Sequence, residues 1–419
     1  MSFNLPSAAQ SQFVSPKFSV DKLYISYLRN PGEIIILSLL DNAESKYAVK
    51  NALNGNEILG YYWTHVGEML FITKQGLEVV KLTPPMTRLG SLSIKVVKTV
   101  STAINWYVYS HEHRLVILWS SAAPASVVGY HFPPNIQVKL PKIDLLDLDK
   151  REKLARADIY IVQLYGVLYM LHLHAVQQQI YLYELGKEDI RKKFSLAVPV
   201  LAGNLLTVNV VDNVLLVHCK TARYTLLYDV KCAAAPPLNL IQPLLPGIEI
   251  APFLPDAVYN NAAASTGTMR GRGASPGVPL YSDSWLIHQP CFVFDSREGY
   301  LWEIKLNLSE LAEVFENKPQ LIGFLLRRAS AKTLILRVLR SCLENRMGLS
   351  DVARIFESIN FAYSSHIMQK YLEMHNRKSM GGTFDSSKSL STHVVASARF
   401  AHLHPHAHPP THIHLHASA

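Results

Sequence analysis

The sequence predicts a mostly β fold that turns α near its end. Residues 1–305 read as an incomplete WD40-like β-propeller, 306–380 as the start of an α-helical solenoid, and 381–419 as a His-rich tail without regular structure. Three observations carry this. Short β-branched and aromatic segments recur in groups, at a spacing of about 40–50 residues, up to Lys305. Beyond Lys305 the apolar spacing changes to three and four. Past Gly381 neither period is present, and Ser and then His dominate.

Taken in order, the first strands are 23–28 and 33–38, joined by the turn Arg29-Asn-Pro-Gly32. Next comes a meander of 58–64, 69–73 and 77–82 with turns at His65-Val-Gly67 and Lys74-Gln-Gly76. Turns this short make the strands antiparallel neighbours. Further groups fall at 93–97, 104–109 and 114–119; at 159–162, 166–171 and 180–183; at 206–211, 213–218 and 223–228; and at 284–288, 291–294 and 300–304. The Gly-His and Trp-Asp marks of WD repeats are missing, so on periodicity alone a β-sandwich competes. Residues 143–156 read as a charged connector or a short helix, and 255–279, rich in Pro, Gly and Ala, as a flexible surface loop.

The helices follow. Asn307-Leu-Ser309 offers a cap ahead of Glu310. Pro319 opens a helix over 320–328. Leu334, Ile335, Val338, Leu339 and Cys342 share one face of a helix over 332–345. Ser350 caps a helix from Asp351 to about Met374, with Val352, Ile355, Phe356, Ile359 and Tyr363 on one side. Consecutive amphipathic helices with short links begin a helical stack.

Composition limits what the chain does. At 419 residues, 49% hydrophobic and 17% charged, it buries a sizeable core and is not a disordered chain. The four cysteines make no Cys-x-x-Cys pair, which reads as reduced, intracellular thiols. The start, MSFNLPSAAQSQFV, has neither the basic nor the apolar region of a signal peptide. From Ile159 to Tyr183 there is no charged Asp, Glu, Lys or Arg, yet interspersed Gln, His and Gly favour buried strands over a membrane span. The net charge of +9 favours anionic partners, but its Lys and Arg are spread along the chain. The densest cluster is Arg327, Arg328, Lys332, Arg337 and Arg340, a candidate basic helix facing a membrane or a partner; packing on a neighbouring helix competes with it. Nucleic acid is not expected as a partner.

Motifs for chemistry are weak. No nucleophile elbow, His-Glu-x-x-His or Walker lysine occurs. His402, His404, His406, His408, His412, His414 and His416 could ligate a metal, but an unstructured tail offers no fixed geometry. His172 and His174 share a strand face, where hydrogen-bonded histidines are expected rather than a metal or acid–base pair. Gly271-Arg-Gly273 lacks the strand and helix of a phosphate loop. Asp144, Asp147 and Asp149 lack the glycine and glutamate of a calcium loop. Trp63, Trp106, Trp119, Trp285 and Trp302 fall in strands as packing residues. No catalytic residue, cofactor or metal is therefore assigned.

The ordered motifs NEILGYYWT (56–64), FITKQGLEVVKL (71–82), INWYVYS (104–110), LYGVLYMLHL (164–173), LTVNVVDNVLLVH (206–218), LYSDSWLIHQP (280–290), SREGYLWEIKLNL (296–308) and LIGFLLRR (321–328) resemble the Bulli family, also called colon-cancer-associated Mic-like proteins. The likeness covers roughly residues 13–375. It implies an N-terminal propeller and a C-terminal helical solenoid. It also implies a non-catalytic scaffold or regulatory subunit of the MON–CCZ Rab guanine-nucleotide exchange complex. Expected partners are the MON and CCZ subunits and, through them, a late-endosomal Rab GTPase. The implied place is the cytosol and, peripherally, the cytoplasmic face of late endosomes and lysosomes, in trafficking and autophagy. Against the family pattern the sequence reads as truncated at both ends, before Phe13 and after Lys378. Two other readings fit composition alone: a propeller enzyme with a central-channel site, and a basic propeller binding membrane or nucleic acid.

Overall fold

The computed structural model describes residues 15–83, 92–134, 136–145, 154–174, 176–198, 205–232, 240–241, 248–252, 281–288, 291–297, 299 and 301–379. The 255–279 loop, the Gly271–Gly273 segment, Asp147, Asp149 and the His-rich tail lie outside these residues. The chain divides into two compact units. One holds residues 1–161, 170–174 and 181–193; the other holds 162–169, 175–180 and 194–419.

In the first unit, β1 (Lys17–Phe18), β2 (Tyr24–Asn30), β3 (Glu33–Ser38) and β4 (Glu44–Ala48) pair in sequence order. So do β5 (Ile58–His65), β6 (Glu68–Thr73), β7 (Gly76–Thr83) and β8 (Ser93–Ser101), and then β9 (Trp106–Ser110), β10 (Leu115–Trp119), β11 (Ser126–His131) and β12 (Val138–Asp144). Each is a four-stranded antiparallel meander, the blade of a propeller-like fold. Strand β6 shows why these segments read as apolar runs: both of its faces are covered. Met69 and Phe71 join Ile34, Ile36, Tyr61, Trp63 and Val80 on one side. Leu70 and Ile72 join Leu77, Val116, Leu118 and Phe132 on the other. Each such side chain, fully buried, contributes about 1.5–3 kcal/mol. A buried carboxylate ties the sheets further: Glu78 accepts from the Tyr47 hydroxyl at 2.6 Å and from the Lys50 amide at 2.9 Å.

Strands β13 (Ile159–Leu164), β14 (Val167–His174), β15 (Gln179–Leu185) and β16 (Ile190–Ala197) pair in sequence order as a further sheet. The described residues of the charge-poor segment 159–183 thus form strands and their turns, and among the described residues no helix is long and apolar enough to cross a membrane. The second unit adds β17 (Leu206–Val211), β18 (Val214–Cys219) and β19 (Tyr224–Tyr228) as a meander. Strand β20 (Leu240–Ile241) runs parallel to β16 through Ser195 and Leu196. The last sheet has the order β21 (Ile248–Pro252), β24 (Leu301–Leu306), β23 (Phe292–Asp295), β22 (Trp285–His288).

Two groupings expected from sequence change. Strand β8 is the fourth strand of the β5–β7 meander, not the first of the next group; β9 and β10 pair instead with β11 and β12. The sequence reading also passed over β4, β11, β12 and β16. Outer strands such as β4 and β12 alternate exposed charge with half-buried residues, so they lack the double-sided apolar run that marks inner strands.

Four helices close the described chain: α1 (Leu308–Val314), α2 (Lys318–Leu325), α3 (Lys332–Glu344) and α4 (Leu349–Ser379). Asn307 caps α1 through the Glu310 amide (3.3 Å) and Asn317 caps α2 through the Gln320 amide (2.9 Å), with Pro319 in the first turn. Leu311, Phe315, Leu321, Phe324 and Leu325 bury against Val214, Leu227, Trp285, Trp302 and Ile304 of the sheets. Ile322, Cys342 and Ile355 form a smaller core with Val338, Leu339 and Ile359. The expected stripe on α4 is only partly buried. Ile355 is inside, while Phe356 and Tyr363 are exposed. They stand about 100° and 80° around the helix from Ile355, beyond the reach of α2 and α3.

Candidate docking surfaces

The five basic residues singled out from sequence do not share one helix. Arg327 and Arg328 lie in the turn after α2; Lys332, Arg337 and Arg340 lie on α3. Arg328 is not free to face a membrane or partner, because its side chain is fully buried. Its guanidinium donates to the Asp229 carboxylate, to the Asp212 carbonyl and to the Tyr165 hydroxyl, and it lies 4.4 Å from the Phe324 ring centroid. Arg327 is half-buried, 3.5 Å from Asp229 and 3.3 Å from the Cys232 sulfur.

Local backbone sets up this anchor. Asp212 and Asn213, both at positive φ (46° and 61°), form the two-residue turn between β17 and β18. The turn leaves the Asp212 carbonyl toward Arg328, while its carboxylate accepts from the Ala329 amide at 3.1 Å. Tyr165 and Gly166 (φ 51° and 77°) form the corresponding turn between β13 and β14. The Tyr165 amide donates to Asn213 Oδ1 (2.6 Å) and its hydroxyl to Asp229 (2.8 Å). Asp229 also accepts from the Lys231 amide at 2.8 Å. Burial, then the Asp229 charge, raises the Tyr165 phenol well above its ordinary range, so it stays a donor. The same two causes push the Cys232 thiol up to about 12, so it is no nucleophile. The sequence showed a basic run here, but not its acidic partner, which stands 99 residues upstream.

The histidines expected to pair on a strand are together. His172 and His174 are both buried, their rings 5.5 Å apart, and each faces Tyr181. His113 is half-buried and meets Ser110 at 2.9 Å. Sequence reasoning missed His218, which is fully buried. It lies 2.7 Å from Thr225 and 2.7 Å from Asn209. Burial, and secondarily Lys220, lower its pKa to about 3, so the ring is neutral. Its signal was faint: one His inside the run LLVHC. Trp63, Trp285 and Trp302 are buried, and Trp106 stacks on Trp119 at 5.6 Å. Among the described residues no group of three His, Cys, Asp or Glu side chains is placed to hold a metal ion.

What the helices leave open is more suggestive of contact. Lys332, Arg337 and Arg340 are exposed on α3, with Arg340 paired to Glu344 at 2.7 Å. Leu336 on α3 and Phe361, Tyr363, Ile367, Met368 and Met374 on α4 are exposed as well. Exposed apolar side chains on these two helices make them a candidate docking surface. A groove lined by Asn307, Ser309, Ser330, Thr333 and Arg337 runs between the starts of α1 and α3.

Comparison with known proteins gives these surfaces a context. The family described as "Regulator of MON1-CCZ1 complex, N-terminal" matches residues 1–88. The human protein named regulator of MON1-CCZ1 complex is 28% identical over 391 residues, covering 89% of this chain and 56% of its own length. A Dictyostelium discoideum homolog is 22% identical over 84% of this chain and 41% of its own. The chain thus spans about half the length of the curated relatives it matches. The WD40 domain of SCAP from fission yeast matches 52% of this chain and 52% of its own, at 13% identity and TM-score 0.34. Together, the matched N-terminal segment and the identity spread along nine-tenths of the chain make it similar to the proteins named regulator of MON1-CCZ1 complex.

Proposed function

We propose that the chain is a non-catalytic regulatory component of a MON1-CCZ1 complex and acts by docking. The observation that carries this is the 28% identity to the human regulator across 89% of the chain, strands and helices alike. The molecule suits the task. Rigid sheets hold many short loops in place, and the Arg328–Asp229 pair, with the apolar core beside it, fastens α1 and α2 to β17–β24. The exposed apolar face of α4 and the basic face of α3 then form the contact surface.

On this reading the exchange chemistry on a late-endosomal Rab GTPase belongs to the MON1 and CCZ1 subunits. The chain supports it at the cytoplasmic face of late endosomes and lysosomes, in endosomal transport and autophagy. The test is affinity capture: a tagged form of the chain, expressed in cells of its own source, should bring down MON1 and CCZ1 and mark late endosomes. Capture of neither subunit would contradict the reading.

A peripheral membrane contact is a second reading, favoured by the exposed Lys332, Arg337 and Arg340 around Leu336. Each basic residue near an anionic surface contributes about 1 kcal/mol. Flotation with phosphatidylserine vesicles should fall when all three are changed to Glu; flotation that is unchanged would remove α3 from the membrane contact.

A further inference from the structure

The outer strands of the first unit are not equally guarded. An outer strand offers a row of backbone donors and acceptors to any extended chain, and proteins blunt it with Pro, charge of both signs or short length. Strand β4 has five residues and carries Glu44 beside Lys46. Strand β12 carries Pro141 and an ion pair of Lys142 with Asp144 at 2.8 Å. Strand β8 differs on every count. It has nine residues, SIKVVKTVS, with no Pro and no acid. Only one of its edges pairs, with β7; among the described residues no strand lies on the other.

Its charges point the same way. Lys95 stands directly across from Lys81, and Lys98 across from Val79, two residues before Lys81 on the same face. All three lysines are exposed, and among the described residues none forms an ion pair. Like charges placed opposite each other on a sheet destabilise it. The acid nearest on that face is Glu68, across from Lys81, and its carboxylate is bonded to the Thr64 hydroxyl at 2.6 Å. Beside the lysines, Val96 and Val97 are exposed at 41% and 50%. The register shift at Val79/Val80 places them at an irregularity in the ladder.

We propose that the free edge of β8 takes up an extended, acidic segment of a partner protein as a fifth strand. Main-chain hydrogen bonds supply the pairing. Carboxylates at alternate positions meet Lys81, Lys95 and Lys98, and apolar residues between them cover Val96. A second copy of this chain fits poorly, because β8 against β8 sets Lys95 and Lys98 against the same lysines. The inference concerns the chemistry recognised at one strand and holds whichever complex the chain joins.

The probe is a labelled synthetic peptide of about nine residues alternating Glu and Val, titrated by fluorescence anisotropy into the full chain at about 0.1 M salt. Controls are the same peptide with Lys for Glu and one with alternate backbone amides N-methylated. The acidic peptide should bind, and the lysine peptide should not. N-methylation, which removes donors without touching charge, should weaken binding roughly tenfold or more, and so should K95E/K98E in the protein. A V96T variant should weaken it less, which shows that a folded edge persists when its charges are kept. Equal binding of the N-methylated peptide would show charge attraction without strand addition and overturn the proposal. So would equal binding to K95E/K98E, or retention of the protein by phosphatidylserine vesicles, lost in K95E/K98E, with no peptide binding.

Discussion

Removing the Arg328 guanidinium should be among the most damaging single changes outside the apolar core. The side chains of Arg328 and Asp229 are both fully buried. In Arg328→Met, Asp229 keeps the Tyr165 hydroxyl and the Lys231 amide, but its nearest cation becomes Arg327 at 3.5 Å. Breaking a buried pair from one side costs about 3–5 kcal/mol, because the remaining charge stays desolvated. That is a factor of about 100 or more in the unfolding equilibrium, or a fall of about 5–10 °C in Tm for the unit involved. The site also predicts a partial rescue. Phe324 lies beside the guanidinium, so an apolar replacement of both partners, Arg328→Met with Asp229→Leu, should cost less than the two single changes summed, the remainder being the orphaned Tyr165 hydroxyl and Lys231 amide. The assay is thermal unfolding of both single variants and the double, with amide exchange read on residues 308–344. Loosening of α1–α3 in the singles, and less than their summed loosening in the double, would match the reasoning. A single-variant cost below about 1 kcal/mol, the range of an exposed pair, or a double as unstable as the sum of the singles, would refute it.

Other expectations follow from particular contacts. Gly76 has φ 147°, and a Cβ there would lie 1.9 Å from the Val100 carbonyl oxygen; Gly76→Ala should part the β7–β8 ladder at that end and speed exchange of the 98–101 amides. Glu78→Ala orphans the Tyr47 hydroxyl and the Lys50 amide; it should cost about 1–3 kcal/mol in thermal unfolding, and Tyr47→Phe clearly less. His218, with a folded pKa of about 3 against an ordinary 6.5, resists protonation when folded. Its contribution is therefore complete above pH 6.5 and is lost as pH falls from there toward 3, about 2 kcal/mol by pH 5. The drop in Tm between pH 7 and pH 5 should shrink in His218→Gln; an unchanged drop would mean that another group titrates.

Inner strands were legible in the sequence because both of their faces are buried. MLFIT (69–73) and NVLLVH (213–218) read as strands by composition, and Glu68–Thr73 and Val214–Cys219 are strands. Outer strands were not, since a strand such as IRKKFSLA buries one face lightly and resembles a polar connector. The helices were legible through their caps and apolar spacing, although the first cap is Asn307 itself. The basic cluster was misread in part for a plain reason. A run of arginines shows charge but not burial, and what buries Arg328 is a carboxylate from β19's end and a turn from between β17 and β18. No local pattern announces such a partner. His218 was missed for the same cause: Asn209 and Thr225, which hold it, lie on neighbouring strands. The lysine-lined edge of β8 was hidden by the expectation that the strand opened a new group.

The claim that most of this serves is that the chain docks and does not catalyse. Sedimentation of the purified chain with the purified MON1-CCZ1 complex of the same organism, beside a nucleotide-release assay on a late-endosomal Rab GTPase, tests it directly. The account predicts a single co-sedimenting species at micromolar concentration and no acceleration of release by the chain alone. Separate boundaries, or release driven by the chain without the complex, would contradict it.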